Sequence, residues 1–128
     1  MKTLDGINIW NRSCDLAIET YRTLNECRDT GFRDVVTRAS LAVAANIAEG
    51  YEHGSQRHRR RYLENARGSC AELRTHLYIA SELGIIDGLR STDLIAESLK
   101  LSTMIQTLID EFRKSARCDA RAQPPRTL

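Results

Sequence analysis

Apolar side chains recur at helical spacing along most of the chain. The clearest segment has residues separated alternately by three and four positions: Leu63, Ala66, Cys70, Leu73, Leu77 and Ala80. This spacing places the six side chains on one stripe of an α-helix. No stretch combines period-two alternation with β-branched and aromatic residues, so the pattern predicts no strand. We therefore expect an all-α protein.

Three further segments show the same periodicity. In the first segment, the residues expected to face the core are Trp10, Cys14, Ala17, Tyr21 and Leu24. The second, about 33 to 52, is rich in alanine and apolar almost all round, which predicts a central helix that neighbours approach closely. The fourth is expected to bury Leu94, Leu101, Ile105, Leu108 and Phe112.

Capping residues and glycines indicate where these helices begin and end. Asn8, Ser55 and Ser91 suit N-cap positions, and Gly31 and Gly84 suit helix ends. Four long helices joined by short loops predict an up-down antiparallel four-helix bundle over 1–117. Both prolines lie in 118–128, which has no periodicity, so this segment is predicted to be a flexible C-terminal tail.

Composition favours a protein of the cytoplasm. The 128 residues are 41% hydrophobic and 28% charged, with a formal net charge of +2. These values are typical of globular proteins, and the charge is too small to indicate nucleic-acid binding by itself. No apolar run approaches the roughly 18–20 residues that cross a bilayer, and the first fifteen residues have no signal-peptide pattern. We therefore expect no membrane partner.

Residue spacing gives little support to enzymatic chemistry. The four cysteines lie far apart, without a CxxC pair, and are expected to be structural thiols. Glu49 with His53 and Glu72 with His76 are four positions apart, whereas a di-iron bundle uses Glu-x-x-His. Ser69 and His76 are seven positions apart on one helix, too far for a direct hydrogen bond. The sequence thus predicts no catalytic residue, metal or cofactor.

Polar residues on the inner faces of the second and third helices call for a structural explanation. Asn46 falls on an apolar stripe, and Glu49, Ser69 and Glu72 are expected to face it from adjacent turns. A buried polar group without a partner costs roughly 1–3 kcal/mol, so we expect these four side chains to bond one another or the backbone. Such a cluster would fix the register of the helices.

Arginines crowd the start of the third helix. Four of the five residues from 57 to 61 are arginines: Arg57, Arg59, Arg60 and Arg61. Arg60, Arg67 and Arg74 then recur every seven residues, beside the apolar stripe. One interpretation is a set of salt bridges to the acidic segment 82–111 of a neighbouring subunit. The alternative is a surface that contacts the phosphates of RNA or DNA.

Two stretches resemble a known family. They are RASL running into NIAEGY at 38–51, and YLENARGSCAEL at 62–73, with Trp10 near the start of the chain. Together they resemble the bacterial four-helix-bundle family first noticed in intervening sequences of 23S ribosomal RNA genes, over about residues 4 to 112. The usual proline-containing turn before the second helix is replaced here by Thr30-Gly31-Phe32-Arg33.

The resemblance implies a bundle that assembles into a ring, typically a homopentamer, and implies no enzymatic activity. A distantly similar branch consists of accessory proteins of diversity-generating retroelements, which bind nucleic acid and a reverse transcriptase. The leading hypothesis is accordingly a non-catalytic homo-oligomeric scaffold whose main partner is itself. The alternative is a nucleic-acid-binding accessory protein that uses the arginine-rich face of the third helix.

Overall fold

The protein is a bundle of four α-helices. The computed structural model describes residues 4–52 and 54–122, and those ranges contain no strand. The helices are α1 (Leu4–Thr23), α2 (Thr30–Glu52), α3 (Gln56–Glu82) and α4 (Gly88–Ala122). α2 and α3 each pack against both of their sequence neighbours, and α1 also packs against α4, which closes the bundle. The all-α prediction is confirmed.

The core forms where the inward stripes of the helices meet. On α3, all six residues of the predicted stripe are buried. On α2, the inward residues include Val36, Ala39, Val43 and Ile47. On α4, Leu94, Leu101, Ile105 and Leu108 are buried as predicted, and Phe112 packs against the core at its edge. Burial of these side chains is the main favourable term in folding.

An aspartate begins α2. The Asp29 side chain accepts a hydrogen bond from the Phe32 backbone N–H at 3.0 Å, and its carbonyl accepts one from the Arg33 N–H at 3.0 Å. Asp29 is therefore the N-cap. The helix begins at Thr30, so Gly31 lies in its first turn and does not end the preceding helix, which stops at Thr23.

A glycine ends α3 as the sequence predicts. Gly84 has a φ of 70°, in the left-handed region. The Ile85 N–H donates to the Ala80 carbonyl at 2.9 Å, and the Gly84 N–H donates to the Ser81 carbonyl at 3.0 Å. This pair of bonds is the Schellman motif, in which Gly is favoured because it has no Cβ.

Two helix starts and one helix end differ from the prediction. α1 begins at Leu4, so Asn8 lies inside the helix. α4 begins at Gly88, and Ser91 is a buried residue of that helix whose hydroxyl donates to the Leu77 carbonyl of α3 at 3.0 Å. α4 also continues to Ala122, five residues into the predicted tail, while 123–128 lie outside the described residues. Ser55 does hold the N-cap position of α3, without a side-chain cap bond.

A glycine allows a close approach of α2 to α3. Gly50 is buried, and a Cβ at this position would lie 3.3 Å from the Arg59 carbonyl oxygen and 3.3 Å from the Tyr62 Cβ. Neither atom is the end of a flexible side chain, so the helices would have to separate slightly. We expect Gly50→Ala to destabilise the protein by about 1 kcal/mol, measured by denaturant unfolding.

Gly68 provides the matched control for that substitution. It lies inside α3, and nothing approaches within 4 Å of the position that a Cβ would occupy. Alanine is the better helix former there, so Gly68→Ala should stabilise the protein by roughly 0.5–1 kcal/mol. Equal stabilisation by Gly50→Ala would contradict a close α2–α3 contact at Gly50.

Candidate functional site

The arginine row of α3 (Arg60, Arg67 and Arg74) lies along the seam with α4. Arg74 is half-buried, and its Nη1 donates to the hydroxyl oxygens of Ser102 at 2.9 Å and Ser98 at 3.2 Å. Arg67 donates to the side-chain oxygen of Gln106, which lies on α4 like the two serines. Two of the three arginines therefore join α3 to α4 within one chain.

A serine extends the Arg74 contact into the core. Ser98 is fully buried on α4, and its hydroxyl donates to the Cys70 carbonyl of α3 at 3.2 Å. The same hydroxyl accepts the bond from Arg74, so its hydrogen-bonding capacity is used on both sides. Burial raises the pKa of the adjacent Cys70 thiol, which favours its neutral form. This polar bridge explains why a serine lies between Leu94 and Leu101 on the inward stripe of α4.

Arginines from two helices meet at the end of the bundle where α3 begins. Arg60, Arg113 and Arg117 line one shallow groove, and Arg57, Arg60 and Arg61 line a second. We call these five residues the basic cluster. The α3 members were predicted as candidates, whereas the α4 members were missed. The signal for them was the short turn after α3, because antiparallel pairing returns the end of α4 to the start of α3.

One carboxylate reaches the basic cluster. Glu64 lines the second groove, and its Oε1 lies 3.0 Å from Arg113 Nη2. Both side chains are nearly half exposed, so this ion pair contributes at most about 1 kcal/mol. Arg59, the remaining predicted arginine, is half-buried and does not line either groove. Of the four arginines between 57 and 61, three thus share one groove and Arg59 does not, as helical geometry requires.

The four predicted polar motif residues do not form a buried cluster. Glu49 and Glu72 are exposed, while Asn46 and Ser69 are half-buried. Asn46 donates to the Ala42 carbonyl at 2.9 Å, and Ser69 donates to the Asn65 carbonyl at 3.1 Å, each within its own helix. Backbone carbonyls of the preceding turn satisfy these two side chains, so neither needs a partner on the facing helix. The prediction that the four side chains form a buried cluster is therefore wrong, whereas the expected backbone bonds are present for Asn46 and Ser69.

α1 has an apolar stripe that faces outward. The outer stripe of α1 consists of residues three or four positions apart, namely Ile7, Trp10, Cys14, Ile18 and Tyr21. Trp10 is 37% exposed and Tyr21 is 46% exposed, although both were predicted to face the core. Ala17 and Leu24, from the same prediction, are buried. The predicted stripe therefore mixes residues of two faces.

A second stripe of α1 faces the core. It comprises Ile9, Ser13, Leu16, Thr20 and Leu24, all of them buried. Ser13 donates to the Trp10 carbonyl at 2.6 Å and Thr20 to the Leu16 carbonyl at 2.7 Å, which satisfies both buried hydroxyls. Because these two residues are polar, the inward stripe is not recognisable as apolar in the sequence. For this reason Trp10 and Tyr21 were wrongly assigned to the core.

Apolar residues also face outward on other helices. On α2, Val35 and Leu41 are exposed. On α3, Tyr78 and Ile79 are exposed. On α4, Leu89 and Leu99 are exposed, whereas the other apolar residues beside the inward stripe pack against the core. Among the described residues, α1 therefore has more exposed large apolar side chains than any other helix.

A bidentate ion pair joins α1 to α4. Arg12 Nε lies 2.9 Å from Glu97 Oε1, and Arg12 Nη2 lies 3.2 Å from Oε2. This bond raises the pKa of Arg12. Arg90 of α4 also approaches Glu19 of α1, at 3.8 Å. Part of the acidic segment 82–111 is thus paired within the chain.

Other candidate chemical groups are separate from one another. His76 packs edge-on against Phe32, with ring centroids 6.5 Å apart, while His53 lies outside the described residues. Among residues 4–52 and 54–122, no three His, Cys, Asp or Glu side chains come together as a metal site. No helix in this part of the chain is long and apolar enough to cross a membrane. Cys14, Cys27, Cys70 and Cys118 are free thiols.

Comparison with known proteins agrees with the fold. A crystal structure of a protein of unknown function from the S23 ribosomal protein family of Bacteroides thetaiotaomicron superposes with a TM-score of 0.77. It shares 14% sequence identity and covers 84% of this chain and 99% of that one, a likeness in fold alone. No match was found among curated proteins. The family model of the 23S rRNA-intervening sequence protein matches residues 5–107, and the chain therefore belongs to that family.

Proposed function

We propose that the protein is a non-catalytic homo-oligomeric scaffold whose subunits associate through the outer stripe of α1. The observation that carries this proposal is the exposure of four large apolar residues of that stripe, on a helix whose inward face is already buried. A contiguous apolar surface of this kind commonly marks an association site. The resemblance to the family favours a ring, typically of five subunits.

The composition of the outer stripe fits a protein interface. Trp10 and Tyr21 offer large areas with a polar group at the rim, the type of side chain that dominates interface energies. No charged residue interrupts the stripe between Ile7 and Tyr21. A second copy of the chain is the occupant that we propose for this surface.

Light scattering at micromolar concentration tests the assembly. We expect the wild-type protein to have a mass several times the 14.5 kDa of one subunit. Trp10→Glu and Ile18→Glu, tested separately, should each shift the protein to monomer, because a carboxylate would be desolvated in the interface. Circular dichroism should show unchanged helix content, since both positions are exposed in the single bundle.

Two exposed leucines outside the proposed interface serve as controls. Leu83 and Leu89 flank the α3–α4 turn and are 66% and 77% exposed. Leu83→Glu and Leu89→Glu introduce the same charge at exposed apolar positions outside α1 and should leave the oligomer intact. A wild-type mass of one subunit would contradict the scaffold proposal. Dissociation by the control variants alone would contradict the assignment of the interface to α1.

The nucleic-acid alternative has a narrower basis than the sequence suggests. Arg67 and Arg74 were expected to continue the arginine-rich face along α3, but both bond to side chains of α4. A polyanion that followed the whole row would compete with those bonds. The bonds of Arg67 and Arg74 to α4 therefore favour the scaffold over the nucleic-acid alternative as the first candidate function. The basic cluster remains the place where an anion could bind.

A further inference from the structure

The basic cluster concentrates positive charge that the bundle itself does not neutralise. No side-chain hydrogen bond or ion pair within residues 4–52 and 54–122 is formed by four of its members, Arg57, Arg60, Arg61 and Arg117. Glu64 lines the second groove, but it already pairs with Arg113. Bringing like charges together is unfavourable unless an anion lies between them. A negatively charged ligand would offset that repulsion.

Arg60 is the central residue of this arrangement. It lines both grooves, and its Nε is buried without a hydrogen-bond partner among the described residues. Because that atom is buried, a ligand in the grooves would contact the Nη groups of Arg60. The remaining N–H groups of the guanidinium can bond a phosphate in bidentate fashion, which suits Arg better than Lys. An anion at this point would contact arginines of both α3 and α4.

The start of α3, next to the basic cluster, adds to the positive electrostatic potential there. α3 begins at Gln56 with no acidic residue in its first turn, and the Ser55 side chain makes no cap bond. The unpaired N–H groups of a helix start carry partial positive charge, and basic side chains there are unfavourable. A bound anion would offset both effects. The helix start thus supports a site that the arginines define.

Two features select a compact phosphate ligand. First, Arg67 and Arg74 bond to α4, so within the row Arg60, at one end of the bundle, has the guanidinium group that is unpaired among the described residues. Second, neither groove is lined by an aromatic side chain on which a base could stack. We propose that the basic cluster binds a short chain of linked phosphates, recognised by its charge and oxygen geometry.

The linked phosphates could belong to a free oligophosphate or to a nucleotide, and both share the chemistry that the arginines recognise. The site is independent of the scaffold proposal, since every contributing residue comes from one chain. If the subunits do assemble, each copy carries the same cluster. Failure of phosphate binding would leave the scaffold intact, and a monomeric protein could still bind phosphate.

Isothermal titration calorimetry of the full-length chain with sodium tripolyphosphate tests the site. At about 50 mM salt we expect saturable binding with one ligand per chain, weakening steeply as salt is raised. Arg60→Gln with Arg117→Gln should weaken binding at least tenfold. Arg28→Gln with Arg33→Gln removes the same charge at the opposite end of the bundle, where α2 begins, and should have little effect.

A charge-preserving variant separates phosphate recognition from structural damage. Arg117 is exposed, so Arg117→Lys should fold normally, yet it loses bidentate geometry and should weaken binding by several-fold. Light scattering and circular dichroism of each variant should match the wild type. No heat of binding at about 50 mM salt, or equal losses in the Arg28/Arg33 control, would overturn the proposal.

Competition identifies the source of the phosphates. We expect a nucleoside triphosphate to displace tripolyphosphate at similar concentration, which would add nucleotides to the ligand class. A single-stranded oligonucleotide without a terminal phosphate should compete weakly at equal phosphate concentration. If the oligonucleotide instead binds more tightly, and Arg60→Gln with Arg117→Gln abolishes that binding, the compact-ligand proposal is overturned in favour of a nucleic-acid backbone.

Discussion

Leu73→Ala should lower the free energy of unfolding by about 3 kcal/mol, the largest change expected for a single side chain. Leu73 is fully buried on α3, the helix that contacts both α2 and α4. Truncation removes apolar contacts and leaves a cavity that rigid neighbouring helices fill only in part. For a chain of this length the loss corresponds to a fall in melting temperature of roughly 10 °C.

Leu83→Ala is the matched control, because it removes the same atoms from a side chain that is 66% exposed. We expect its effect to stay within about 0.5 kcal/mol. Thermal unfolding of the variants and the wild type should be followed by circular dichroism at one protein concentration, since subunit association would also shift the melting temperature. A loss below about 1 kcal/mol for Leu73→Ala would contradict its place in a close-packed core.

The sequence was sufficient where one stripe dominates a helix. On α3, alternation by three and four positions identified six residues, and all six are buried. The Gly84 end was also predictable, because only a residue without Cβ adopts positive φ readily. Local spacing and local backbone geometry decide both features. Neither depends on which helix lies opposite.

Spacing could not assign the two stripes of α1. Periodicity shows which residues share a face, but it does not show which of two faces turns inward. The outer stripe has Trp10 and Tyr21, so it is more apolar in the sequence than the true inner stripe, which contains Ser13 and Thr20. Those hydroxyls are tolerated in the core because they bond to carbonyls of their own helix. Only the packed structure separates the faces.

The arginine row shows the same limit at the candidate site. The seven-residue spacing predicted that Arg60, Arg67 and Arg74 share a face, and all three do lie along one seam. The partners of Arg67 and Arg74 come from α4, more than twenty residues away in the chain, so spacing within α3 could not reveal them. For the same reason Arg113 and Arg117 were missed. The register between two helices brings these residues together, and local pattern does not determine it.

Arg74→Ala should destabilise the protein by about 2 kcal/mol while leaving tripolyphosphate binding unchanged. The substitution removes the charged donor that bonds the hydroxyls of Ser98 and Ser102, and Ser98 then loses one of its two partners in the core. Arg74 also covers apolar surface with its aliphatic stem. Arg74→Met keeps most of that stem, so the difference between the two variants measures the packing contribution.

The opposite pattern is expected at the other end of the row. Arg60→Gln should weaken tripolyphosphate binding but have a small effect on unfolding, because Arg60 has no bonded partner among the described residues. Stability and tripolyphosphate binding should therefore both be measured for each variant, by denaturant unfolding and calorimetric titration. We expect each variant to lose one property and keep the other. If Arg74→Ala reduced binding as strongly as Arg60→Gln without loss of stability, the inner arginine would belong to the ligand site. Its bonds to α4 would then be contacts that an anion displaces.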